Sequence, residues 1–75
     1  MVKTENIVLL KKIAAVLKEI RINNGLTQND VYYDTSIHIG RVESYKVNLT
    51  VGTLNLLCKY YDLSLSEFFK KVESS

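Results

Sequence analysis

Between Gln28 and Asn48 the chain sets Gln28, Ser36, His38, Arg41, Lys46 and Asn48 among the apolar residues Val31, Ile39 and Val42. The chemistry these side chains offer is hydrogen bonding to base edges and phosphates. An arginine such as Arg41 can pair bidentately with guanine, worth about 1–3 kcal/mol of discrimination. The competing role for Arg41 is a surface ion pair with Asp34 or Glu43. Ser36 and His38 would begin the same helix or lie on its outer face, within reach of bases or phosphate. Gln28 stands at a helix start, where free backbone N–H groups and the helix dipole favour an anion; its alternative is to be merely solvated. His38 is the sole histidine and has no cysteine near it, so it makes no metal site.

These side chains need rigid elements to hold them. Thr27 and Thr35 are both N-cap residue types, each followed by a run too short to be a stable helix alone. The spacing predicts a second helix over residues 27–33 and a third over 36–44, with Thr35 capping the third and secondarily able to touch phosphate. Two short helices joined by a tight turn and wedged on a longer one form a helix-turn-helix, whose second member fits a DNA major groove. The longer helix is expected from a Thr4 cap to about Asn23. Leu9, Ile13, Val16, Leu17 and Ile20 give its inner stripe, and Asn23-Asn24-Gly25 stops it. Thr50 should cap a fourth helix whose inner face is Leu54, Leu57, Cys58 and Tyr61. Ser64 and Glu67 have capping-box spacing for a fifth, carrying Leu65, Phe68 and Phe69.

The totals agree with a small all-α domain. The chain has 75 residues, 47% of them hydrophobic, no proline and three glycines, which suits one helical core and no more. A domain of this size is marginal alone, which favours self-association. Cys58 is the only cysteine, so it reads as a buried apolar residue in a reducing compartment. The apolar run at residues 7–10 is too short to span a bilayer, and the charges of Lys11 and Lys12 follow it rather than precede it. A cytoplasmic protein without membrane contact is expected. Net charge is +2 and uneven: Lys3, Lys11, Lys12, Lys18 and Arg21 outweigh Glu5 and Glu19, whereas Arg41 and Lys46 are outnumbered by Asp30, Asp34 and Glu43. Non-specific affinity for nucleic acid should therefore be low, leaving discrimination to a few contacts and to dimerisation.

From residue 17 to residue 69 the chain resembles the XRE family, which includes Cro and the lambda-type phage repressors. Leu17, Ile20 and Arg21 stand where that family has an apolar pair and an arginine. Gly25-Leu26-Thr27-Gln28 matches its Gly-Leu-Ser/Thr-Gln, and Ile39, Val42 and Glu43 match the end of its recognition helix. Lys46 and Asn48 match the polar loop after that helix. Thr53-Leu54, Leu57, Asp62-Leu63-Ser64-Leu65 and Phe68 match its last two helices. The resemblance implies a compact five-helix lambda-repressor-like domain. In it Gln28 would grip the DNA backbone and brace the recognition helix, Lys46 and Asn48 would hold phosphate, and Glu43 would tie the recognition helix to neighbours such as Arg21. Three departures stand out. Residues 27–43 are about three residues shorter than the family pattern, which compresses the second helix or the turn. Tyr32 replaces a small alanine, and its ring is expected to fill the space the shortening leaves. Tyr45 replaces a glycine, at a cost of about 1 kcal/mol if its φ is positive.

The expected function is a sequence-specific, double-stranded DNA-binding transcriptional regulator. It would act as a homodimer on a near-palindromic operator with half-sites roughly 34 Å apart. Residues 1–16 would extend the first helix and supply a dimer contact. No cofactor is implied. Catalysis is not expected, since no Cys–His pair, glycine-rich phosphate loop or partnered carboxylate cluster stands out. The alternative is an interaction module, antitoxin-like, that keeps the fold and turns its shortened, near-neutral helix-turn-helix segment to a protein partner; the apolar run at residues 7–10 motivates it as an additional buried surface, whether a dimer interface or packing against Phe68 and Phe69.

Overall fold

Apolar residues recurring every three or four positions make the first helix, α1 (Thr4–Asn23), of 20 residues. Its buried side is Ile13, Ala14, Val16, Leu17, Ile20 and the arginine Arg21. The chain is described by a computed structural model over residues 4–45 and 47–75, with side chains from Asn6 onward. α1 starts at Thr4, whose side chain lies outside those described, and the expected capping bond of Thr4 lies outside them too. The end is well defined. Gly25 takes φ +70°, and its N–H bonds the Ile22 carbonyl at 2.9 Å while the Leu26 N–H bonds that of Arg21 at 3.1 Å. This left-handed stop satisfies carbonyls that the helix would otherwise leave bare.

The other helices are α2 (Gln28–Thr35), α3 (Ile39–Glu43), α4 (Val51–Tyr60) and α5 (Leu65–Glu73). Thr27 caps α2 in a reciprocal box with Asp30: the Asp30 N–H donates to the Thr27 hydroxyl at 3.0 Å, and the Thr27 N–H to the Asp30 carboxylate at 2.8 Å. Ser64 and Glu67 repeat the arrangement at α5, and the Thr50 hydroxyl caps α4 by accepting from the Thr53 N–H.

The third helix differs from expectation. It spans five residues, Ile39–Glu43, rather than 36–44, while α2 keeps eight residues and runs on through Thr35. The third helix is therefore shorter than expected and the second runs further. Thr35 explains the boundary. Its hydroxyl donates back to the Val31 carbonyl at 2.7 Å and accepts from the Ile37 N–H at 3.1 Å, so it closes α2 instead of opening α3. Ser36 then breaks the helix at φ +61°. Residues 36–38 form the connection, and Ile39 and Val42 turn into the core.

The core joins α1 residues to Val31, Ile39, Val42, Leu54, Leu57, Cys58, Tyr61, Phe68 and Val72. Thus all four expected inner residues of α4 and its end are buried. Two expected core residues are not. Leu9 is 46% exposed, alongside Val8 at 52%. The reason is length: α1 has 20 residues and packs on α3 and α5, which have five and nine, so α1 outruns what covers it. Phe69 is 38% exposed, because α5 buries the i, i+4 pair Phe68 and Val72 and Phe69 lies a 100° step away. α1 packs on α3 and α5, α2 on α3, and α4 on α5, within 31 × 24 × 20 Å.

Candidate functional site

Arg21, buried in the last turn of α1, organises the region around α2 and α3. Its Nε donates to Glu43 Oε2 at 2.7 Å and its Nη2 to Glu43 Oε1 at 3.0 Å, a bidentate pair. Its Nη1 donates to the Leu26 carbonyl at 2.8 Å, and Gln28 Nε2 adds a bond to Glu43 Oε1 at 3.1 Å. One carboxylate thus ties the end of α3 to α1 and to the first turn of α2. The hydrogen bonds it donates to Glu43 hold the Arg21 guanidinium above its ordinary pKa. Gln28 also lies against α3 at Gly40, where an added Cβ would sit 3.0 Å from Gln28 Oε1.

Outside this clamp, α2 and α3 frame a cleft of about 440 Å³ lined by Gln28, Asn29, Tyr32, His38, Ile39, Gly40 and Arg41. His38 occupies the N-cap position of α3 yet makes no side-chain capping bond. Its ring instead stacks on Tyr32, with centroids 4.6 Å apart and planes inclined by 30°. A second groove of about 300 Å³ runs between α3 and the start of α4. Ile37, Val42, Val47 and Leu49 floor it, and Arg41, His38, Asn48, Thr50 and Thr53 edge it.

Each acidic side chain of this face has a hydrogen-bond partner. Glu43 is committed to Arg21. Asp30 is held below the usual carboxylate range by the Thr27 N–H and hydroxyl. Asp34 accepts from the Tyr60 hydroxyl, which pushes Tyr60 up to about 12. Arg41 is exposed and forms no ion pair with the described residues. Neither Asp34 nor Glu43 engages it.

The expected contact residues are only partly brought together. Gln28, His38 and Arg41 line one cleft. Asn48 is exposed on the neighbouring groove, which it shares with His38 and Arg41. Ser36 is exposed but sits in the turn rather than on α3. The Thr35 hydroxyl is occupied within α2. Lys46 lies outside the described residues. Asn29 and Tyr32 were absent from the expected set. Their signal was available in the pattern, since Asn29 and Tyr32 are an i, i+3 pair on the exposed side of α2. Tyr45 takes φ +49° where the resemblance put glycine, and the Lys11 ammonium stands 5.1 Å from its ring centroid.

Among the described residues no group of three His, Cys, Asp or Glu side chains is placed to hold a metal ion, and no helix is long and apolar enough to cross a membrane. Compared with protein families, curated proteins and solved structures, the chain matches none.

Proposed function

We propose that the chain is a sequence-specific, double-stranded DNA-binding regulator of the XRE type, acting in the cytoplasm as a homodimer on a near-palindromic operator. The observation that carries this reading is the way α2 and α3 are locked to α1 through Glu43 while Arg41 projects from α3 free of any described acidic partner. A clamp of that kind fixes the direction in which α3 presents its outer side, and pre-organisation is what base readout needs. Two protomers would set their third helices in successive major grooves. Gln28, His38, Arg41 and Asn48 are the proposed contacts, with Lys46 assigned to phosphate by its place in the sequence.

The brevity of α3 bears on strength. Five residues rise about 7.5 Å, so few side chains of this helix can reach base edges. The protein should bind weakly to random DNA and depend on paired half-sites. A mobility-shift competition with genomic fragments at low and moderate salt tests the proposal. A fragment that outcompetes random DNA supports it, and equal competition by all fragments removes it.

A protein partner is the second reading, favoured by Ile7, Val8 and Leu9, which are 37%, 52% and 46% exposed. Sedimentation of the purified chain decides whether this apolar end serves self-association. A strict monomer at high concentration removes the homodimer.

A further inference from the structure

We infer that the reading surface is the cleft between α2 and α3, with Asn29 and Tyr32 of α2 contacting base edges alongside Arg41 of α3. This rests on the proposed DNA-binding function and assigns its specificity. Three observations converge on it. The five-residue α3 offers Arg41 as its one exposed side chain, too little to define a site alone. The cleft beside it is lined by groups that suit base edges: the Asn29 amide, which can pair bidentately with adenine, and the Arg41 guanidinium, which can do so with guanine. Tyr32 and His38 are also stacked on one another there, which leaves an N-cap without its usual bond and holds both rings in fixed positions. Tyr32 is 45% exposed and lines the cleft.

Charge favours a duplex as the occupant. Arg41 is the cationic side chain of the cleft, no carboxylate lines it, and the nearby Glu43 is balanced by Arg21. Tyr32 and His38 line the cleft together with Asn29 and Arg41, so a base-pair edge entering it would meet them as well.

The test is selection from a random duplex pool with the full chain and with Asn29→Ala, Tyr32→Phe and Tyr32→Ala, and then salt titrations on the preferred sequence. Asn29→Ala should flatten preference at one base pair by roughly tenfold with an unchanged salt slope. Tyr32→Phe keeps the stack but lacks the hydroxyl, and should lose preference at a neighbouring pair. Thermal melts identify loss of folding in Tyr32→Ala, and the other two variants then decide. If the wild type selects a sequence and both variants select it unchanged, the cleft is not the reader. Uniform weakening with a shallower slope marks phosphate contacts and also overturns the inference. A wild type that selects nothing removes the proposed function, and the cleft assignment with it.

Discussion

At the scale of single residues, Arg21 and Glu43 carry the most consequence. Their bidentate bond is nearly hidden from solvent, with side-chain exposures of 9% and 3%, so deleting one partner leaves the other buried without a counter-charge. Arg21→Ala or Glu43→Ala should cost about 3 kcal/mol in denaturant titration. Tyr61 shows the opposite case. Its hydroxyl is buried and finds no hydrogen-bond partner among the described residues, so Tyr61→Phe should be neutral or stabilise by up to about 1 kcal/mol. Burial raises Tyr61 to about 12, and the bond to Asp34 raises Tyr60 to about 12. The unfolded chain releases these protons near 10, so it loses them before the folded chain does. Stability should therefore fall as pH rises from about 10 to 12, and Tyr61→Phe should blunt the fall. Alkaline melts of the two proteins check this.

At the scale of elements, helix ends were legible and the third helix was not. The Asn-Asn-Gly stop, the Thr27 and Ser64 caps and the inner face of α4 arise from residue types with few alternative uses. Thr35 has two, as an N-cap for the next helix or as a back-bonding residue at the end of α2, and only tertiary packing of Ile39 and Val42 chooses between them. That choice moved Ser36 from α3 into the turn and left the cleft with Asn29 and Tyr32 on its wall. The same turn yields a prediction. Ser36 is exposed at φ +61°, where glycine is unstrained, so Ser36→Gly should raise stability by about 0.5–1 kcal/mol in thermal melts. The caps predict the acid limb. Asp30 and Glu67 are both held below the carboxylate range by the backbone N–H groups they accept from. Their stabilisation is present at neutral pH and is lost as pH falls through the depressed values, which helical circular dichroism of Asp30→Asn and Glu67→Gln should reveal as flattened acid transitions.

At the scale of the molecule, a 75-residue chain of net charge +2 lacks the strong basic face that holds many DNA-binding domains to any duplex. If it binds DNA, it does so through fit and pairing of subunits, and the exposed apolar end of α1 is the surface that pairing would bury. Dimerisation and specificity should then rise and fall together: Val8→Lys should shift the chain toward monomer in sedimentation and weaken operator binding while leaving the helical fold intact. The central claim is tested most directly by the ratio of affinities for the preferred duplex and a scrambled duplex of the same length, measured at one moderate salt concentration for wild type and Arg41→Ala. Specific readout predicts a wild-type ratio of roughly 10³ or more and a ratio at least tenfold smaller for Arg41→Ala. Equal affinity of the wild type for both duplexes would contradict it.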